Sequence, residues 1–545
     1  MGMRTGGIED EQEYDFIIIG AGSAGCVLAG RLSENPSARV LLLEAGDEGK
    51  GFLVDVPAGT FALMGRAGVD WDYDTEPDPS VHGRKTRWAA GRMLGGSSGI
   101  NGMVYTRGLR GDYDAWVAAG CPNWSFEDLL PYLRRAERYE GPQSATSQTW
   151  HGNDGPLCVS PPRTLHPLAS VFLEACAERG LPTVDESCDG AVLGAYYPLG
   201  TTHRGHRCSA AAAYLQPARH RRNLTVLTQC LVDRIEISAG RATAVRAVHA
   251  GVSKQWRARR EILLCAGAVG SPAILLRSGV GPGAELQTLG IHVHVDSPDV
   301  GANVHDHCGV SQSRFVDVPT YNTQMGPFGL TKSLLQLLIA RRGPLTSIAV
   351  QAMAYGKSRP ELQEADLVFS FLPLCIDFTG GHPKLHKRAG ITIGAHAGRP
   401  WARGRVRLRD ASPQSAPLIE YRLLGDERDL RLLIEAQKHI ANIFTAPALA
   451  RHVMDNNVPA AIPEEDAGWE AMIRNYAGIG YHCVGSCRMG RDARAVVDPE
   501  LRVRGLDNLR VVDASVMPNI TSGNTNAPVI AISERAAEWV SRATA

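Results

Sequence analysis

This chain of 545 residues contains no apolar run that approaches the ~20 residues needed to cross a bilayer, so no integral membrane segment is expected. It has no excess of charge either. Its 57 Lys and Arg residues balance 57 Asp and Glu residues, leaving no overall field to hold nucleic acid or an anionic membrane. None of its 12 cysteines forms a CxxC pair, which sets aside zinc-ribbon and thioredoxin-like readings; several, such as Cys265, lie in apolar runs and read as small core residues. The start, Met1 to Glu13, lacks the apolar centre of a signal peptide, and Gly6 stands where a myristoylation motif needs Ser or Thr. A reducing cytoplasm is the expected compartment. No internal repeat or low-complexity linker is present, and 545 residues exceed one typical core, so two domains are expected.

What is present is clearest between Asp15 and Glu44. Phe16 to Ile19 form an apolar, β-branched run that reads as a strand buried on both faces. It leads into Gly20-Ala21-Gly22-Ser23-Ala24-Gly25, then into the helical spacing of Cys26, Val27, Leu28 and Leu32. A second apolar strand, Val40 to Leu43, ends at Glu44, which stands 19 positions after Gly25. That is the layout of a dinucleotide site. The glycines allow a tight turn and let backbone amides approach a pyrophosphate, the helix N-terminus supplies a favourable dipole, and the carboxylate accepts from a ribose hydroxyl. An acid at position 44 also disfavours a ribose phosphate, which would call for arginine.

Further strands are expected at Leu224 to Leu227, Ile262 to Leu264 and Leu509 to Asp513, with helices at Ala273 to Leu276 and Pro528 to Val540. All could join the first sheet. The expected architecture is therefore α/β: a discontinuous Rossmann-like domain from 14–160, 222–310 and 478–545, and an α+β cap from 161–221 and 311–477. Within the cap, strands are expected at Leu367 to Leu374 and Ile391 to Gly394, and helices at Leu330 to Arg341 and Asp426 to Phe444. Segments 141–155 and 455–466 read as loops.

Several blocks, in order, give the chain a resemblance over roughly residues 14 to 541 to the glucose–methanol–choline (GMC) flavin oxidoreductases. They are Gly91 to Met103 with Tyr105, Arg107 and Gly108; Gly267 to Pro272 with Ser278 to Pro282; Val300 to Asn303 with Asp306-His307; Tyr481 to Gly490; and Ser522 to Pro528. The resemblance implies FAD held by Gly20, Gly22, Ser23, Ala24, Gly25, Glu44 and Ala45, with Leu94, Gly95, Gly96, Asn101, Gly102, Met103 and Val104 lining the pyrophosphate and the ring. Val232 resembles the position whose backbone contacts adenine, and Ala266, Tyr481, Asp513, Ala514, Thr525 and Asn526 complete the implied cofactor set. Some relatives attach FAD through a histidine; Ile100 stands there instead, so a non-covalent flavin is expected.

The same resemblance assigns the chemistry to His482 and Asn524, the latter also at the cofactor. An alcohol hydroxyl is a very weak acid, and its carbon releases hydride readily only as the oxygen becomes alkoxide-like. A neutral imidazole with an ordinary pKa near 6.5, subject to any burial shift, can take the proton and then stabilise the oxygen as imidazolium; an amide adds a hydrogen bond without competing for the proton. The helix starting near Asn526 to Pro528 could aim its amides at the flavin N1–C2 carbonyl locus. Cys483 and Ser486 replace Pro and Thr of many relatives without removing a catalytic group, and His305 and His307 belong to a block that is structural in the family, so no metal is expected. The implied activity is oxidation of a primary alcohol to its aldehyde, with oxygen or a quinone-like carrier taking the electrons. The competing readings are a non-oxidative member of the fold, a lyase or decarboxylase, and a flavin-binding protein without activity. A choline-type substrate would need an aromatic cage with a carboxylate; Tyr481 offers one wall, but no carboxylate partner can be placed.

Overall fold

The computed structural model describes residues 12–324, 326–377 and 384–542. Strand Glu13–Ile19 is buried from Tyr14 onward, and a strand buried on both faces belongs inside a parallel sheet. It lies between Val40–Leu43 and Val252–Leu264, with Ile17 opposite both Leu41 and Ile262 in parallel register. Leu224–Leu227 extends the parallel run beyond Val40–Leu43. Strand Val252–Leu264 does two jobs along its 13 residues. Its first half closes an antiparallel meander with Arg241–His249 and Cys230–Ser238, while its last residues pair in parallel with Leu509–Val511. Strand pairing thus draws the two ends of the sequence into one sheet.

Helices seal that closure. Ser23–Leu32 packs against the C-terminal helix Asn526–Arg542. Arg31 reaches across to the buried Glu534 at 2.8 Å, where the Tyr214 hydroxyl also donates at 2.8 Å, and Ser23 donates to Asn526 Oδ1 at 2.7 Å.

A second sheet is antiparallel throughout, in the order Val453–Val458, Cys308–Val316, Gly390–Ala397, Leu367–Leu372, Ala352–Gly356, Gly194–Tyr196, with Gly478–Ile479 also on Cys308–Val316. Successive side chains point to opposite faces of a strand. Accordingly Ala352, Ala354, Phe369, Phe371, Ile391 and Ile393 form one core with helices Pro167–Glu178 and Glu427–Phe444. The alternate residues Met353, Tyr355 and Val368 pack instead with Met103 and Val104, next to the glycine loop that follows residue 91. The second sheet therefore presents its other face to the candidate site.

Elements match the expected ones closely where periodicity was strong. Differences occur at short or interrupted segments. The loop expected over 141–155 contains helix Ala145–Trp150, started by a Ser144 capping box, and that over 455–466 begins inside strand Val453–Val458. The helix expected from Leu330 starts earlier, Pro327–Leu335, and continues as one π-turn over Gln336–Ala340. Strand Cys308–Val316 runs across the expected domain boundary at 310/311.

Arg107 and Glu137, both without exposed side-chain surface, meet at 2.6 Å beneath the glycine loop. Glu137 also faces His151 Nδ1 at 2.8 Å and accepts from Gly152 N at 3.1 Å, while Arg107 donates to the Trp150 carbonyl at 2.6 Å. Removing one partner of such a pair leaves a buried charge without compensation. Glu137→Ala is expected to lower unfolding stability by about 3–5 kcal/mol, read as a shift of the chemical-denaturation midpoint; a shift of a few tenths would show that the network is not structural.

Candidate active site

The glycine turn is forced by contact. A Cβ on Gly25 would lie 1.9 Å from the Gly20 carbonyl oxygen, and one on Gly96 2.7 Å from the Gly22 Cα. The loop after residue 91 thus rests directly on the fingerprint, tied by Gly95 N donating to the Ala21 carbonyl at 2.8 Å. Gly22 and Gly102 both have open space where a Cβ would stand. Beside Gly22 the first amides of helix Ser23–Leu32 lack intrahelical acceptors, the donor set a pyrophosphate requires.

Glu44 is buried at the end of its strand, its carboxylate accepting from Ala21 N at 2.9 Å and Gly46 N at 2.8 Å. Burial raises its pKa to about 7. Each oxygen keeps a second lone pair for a ribose hydroxyl. Cys230 N donates to the Glu44 carbonyl at 2.8 Å, which brings the strand carrying Val232 alongside. Ala266 N donates to the Ser271 hydroxyl at 3.0 Å, and Asp513 accepts from Gly267 N at 2.9 Å, Ser271 Oγ at 2.6 Å and Ser515 N at 2.8 Å. Ala266 and Asp513 thus act as joints between the parallel strands and the turn that carries Ala514. The residues present fit a dinucleotide: amides without a side chain in the way, and a carboxylate with spare acceptors.

Arg207 was not legible from the sequence. Its guanidinium donates to the Asn101 carbonyl at 2.7 Å, Asn101 Oδ1 at 2.9 Å, Thr60 Oγ1 at 3.0 Å and the Val54 carbonyl at 2.9 Å. It clamps the glycine loop from outside. Nothing in the spacing around 207 marks it, because its partners are mostly carbonyls scattered along the chain.

At the other end of the loop, His482 and Asn524 meet: Asn524 Nδ2 lies 2.9 Å from His482 Nε2. His482 Nδ1 lies 2.9 Å from His307 Nδ1, and His307 Nε2 lies 3.1 Å from the Gly398 carbonyl oxygen. These contacts assign the protons. A carbonyl only accepts, so His307 carries its proton on Nε2. Burial, with His396 and His482 nearby, holds the His307 pKa well below its usual value, so the ring is neutral and its Nδ1 is an acceptor. His482 must then donate from Nδ1, which leaves the lone pair on Nε2, facing the Asn524 amide. His307, expected to be merely structural, sets the tautomer of the candidate base.

The surroundings hold this pair. Asp306 accepts from His482 N at 2.9 Å and from Trp88 Nε1 at 2.7 Å, and burial raises its pKa to about 7. His396 stacks on His307 with ring centres 4.2 Å apart. Burial, then the nearby His396, lowers the His482 pKa to about 3. His305 spends both ring nitrogens on backbone, Nδ1 to the Asn303 carbonyl at 2.6 Å and Nε2 from Ile520 N at 3.0 Å. Among the described residues, the groupings with metal-ligand spacing are Glu140, Cys158 and His203, and His151, Glu186 and Cys188, neither of which includes His305, His307 or His482. Ser522, two residues before Asn524, is fixed by Asp112 through its amide at 2.7 Å and hydroxyl at 2.6 Å. Tyr481 and Met103 adopt left-handed φ of 61° and 60°, a cost of order 1–3 kcal/mol each that the surrounding contacts hold in place.

Comparison with known proteins assigns the family. Family models described as GMC oxidoreductase match residues 14–309 and 400–533. The chain is 37% identical to an alcohol dehydrogenase [acceptor] of Pseudomonas putida, over 97% of this chain and 96% of the relative. It is 36% identical to the mitochondrial choline dehydrogenase of Homo sapiens, over 99% and 91%. Among solved structures it superimposes on pyridoxine 4-oxidase from Mesorbium loti with a TM-score of 0.88 at 33% identity, covering 96% of this chain and 99% of that one. A formate oxidase variant from Aspergillus oryzae RIB40, studied for FAD modification, gives a TM-score of 0.91 at 26% identity, covering 98% and 99%. The chain belongs to the GMC oxidoreductases, a family of FAD-binding flavoproteins.

Proposed function

We propose that the protein oxidises an uncharged primary alcohol to its aldehyde, with His482 as base and Asn524 as the second hydrogen-bonding group on the alcohol oxygen, and that oxygen or a quinone-like acceptor takes the electrons onward. The observation that carries this reading is the Nε2 lone pair of His482 paired with the Asn524 amide at 2.9 Å. An alcohol oxygen that displaces the Asn524 amide from Nε2 donates its proton to Nε2 and accepts from Nδ2. The FAD, bound by the residues around the fingerprint and the glycine loop, supplies the hydride acceptor. The chain's own task is the proton: His482 receives it, and the imidazolium, still hydrogen-bonded through Nδ1 to His307, stabilises the alkoxide in a site of low dielectric.

Charge supports an uncharged substrate over a choline-like one. The carboxylate brought to His482 is Asp306, and its oxygens are engaged by the His482 amide and the Trp88 indole. It is also raised to about 7 by burial, so it offers a weak anion to a quaternary ammonium. Anaerobic mixing with a panel of primary alcohols and choline, followed by air or a soluble quinone, tests substrate class and acceptor together. Flavin bleached by choline but by no uncharged alcohol would sink this reading.

His482→Ala is expected to slow flavin reduction by about 10²–10⁴-fold, and Asn524→Ala by distinctly less, with FAD content unchanged in both. Near-normal reduction by His482→Ala would move the base elsewhere.

Because the His482 pKa is lowered, its base form persists as pH falls. The acid limb of the flavin-reduction profile should lie well below the ordinary value of about 6.5, leaving the rate flat through neutrality. A limb centred near 6.5 in stopped-flow traces would contradict the buried geometry.

Ile100 packs with Leu63 and Met93 rather than offering a nucleophile. Acid precipitation should therefore release all the flavin into the supernatant; yellow colour kept in the pellet would establish a covalent bond.

A further inference from the structure

We propose that the helical segment over residues 327–340, with the Arg341-Arg342 pair that ends it, is a docking surface for an anionic lipid bilayer. The segment comprises helix Pro327–Leu335 and the π-turn Gln336–Ala340, closed by Arg341 at a left-handed φ of 51°. Its inner side is anchored, with Leu337 buried against Val56 and Leu345. Its outer side is apolar and open: Phe328 is 93% exposed, Leu335 53%, Leu338 71% and Ile339 81%. Phe328, Leu335 and Ile339 are spaced 7 and 11 apart, which is one face of a helix. Large apolar side chains with so much exposed surface, gathered on one helix, mark an interaction site rather than ordinary surface scatter.

Charge selects the partner. Between Val318 and Pro360 the chain has no acidic residue and 5 basic ones. Lys332, Arg341 and Arg342 are exposed on the apolar segment or at its end. A neighbouring element adds one more cation, Arg163, which donates to the Arg341 carbonyl at 2.8 Å; the His206 ring against the Arg341 guanidinium is held below its usual pKa by burial and by that cation. Asp55, the acid that acts on His206 and Arg207, lies on that side of the patch. An amphipathic helix with apolar residues on one face and lysine and arginine at its edges lies in the plane of a bilayer, its apolar side chains in the acyl boundary and its cations at lipid phosphates. A symmetric contact between two copies fits poorly, because it would bring Lys332, Arg341 and Arg342 together with their own counterparts and with no acid in the segment to pair them.

The test uses the full FAD-loaded chain and vesicles of phosphatidylcholine alone or mixed equally with phosphatidylglycerol. The protein should sediment with the anionic vesicles, far less with the neutral ones, and less as salt is raised. Replacing Phe328, Leu338 and Ile339 together with Ser should abolish binding. Lys332→Glu, Arg341→Glu and Arg342→Glu combined should weaken it by more than about 100-fold, since each cation near such a surface contributes roughly 5-fold. All these side chains are exposed, so both variants should keep wild-type FAD absorbance and melting temperature. Wild-type protein that stays in the supernatant with both vesicles, or a serine triple variant that binds as well as wild type, overturns the proposal. So does light scattering that shows a dimer lost in the serine variant without any vesicle binding, which would assign the face to self-association.

Discussion

A single carbonyl oxygen, that of Gly398, decides where the protons sit in the active site. Because it can only accept, it fixes the His307 tautomer, and His307 in turn fixes that of His482. The base is therefore ready on the side that faces Asn524, before any substrate arrives. The arrangement needs four distant stretches of chain to meet within hydrogen-bond length: the strand start near 307, the strand end near 398, the turn at 482 and the entry to the last helix near 524. Buried carboxylates tie them to one another. Asp306 holds the 482 turn, Asp112 holds Ser522, and Arg399 bridges Asp112 at 2.7 Å and Glu364 at 2.6 Å. Preorganisation of this kind is what lets a weak base act on a weak acid.

Burial has two consequences there. It keeps His482, His307 and His396 neutral, so three imidazoles can crowd together without mutual repulsion. It also makes the resting protein a poor proton acceptor. The proton moves only when an alkoxide forms beside the imidazolium, since the pair attract strongly in a medium of low dielectric while either charge alone is disfavoured. The site thus couples proton transfer to the step that consumes the alkoxide, and Asp306, itself pushed toward neutrality, competes only weakly as an anion.

Much of this was legible in the sequence, for identifiable reasons. Strand Val40–Leu43 has the expected ends because a run buried on both faces is uniformly apolar and stops at polar residues, while Leu224–Leu227, a partly buried strand at the edge of the sheet, is bounded by Asn223 and Thr228. Glu44 and the glycines stood out because the backbone contacts they make tolerate few other residues. His482 and Asn524 came from the family blocks, and the fold brings them together. What stayed hidden were partners set by tertiary contact. His307 sits in a recognisable block, yet its role depends on Gly398, 91 residues away. Arg207 works through backbone carbonyls, which leave no trace in residue types. The basic, acid-free stretch from 318 to 360 disappears in a net charge of zero, since composition averages over the whole surface.

Why the substrate is the hardest thing to read follows from the second sheet. Its strands serve two masters in alternation. Ala352, Ala354, Phe369 and Phe371 are committed to the core beneath helices Pro167–Glu178 and Glu427–Phe444, where a change of volume costs stability. Met353, Tyr355, Val368 and His396, one position out of phase, turn toward the glycine loop and His307. Along the sequence this second set is interleaved residue by residue with the first. Hydrophobic pattern therefore reports the strand and its register, while the side chains on the face toward the glycine loop and His307 differ from their neighbours only in which way the pleat turns them.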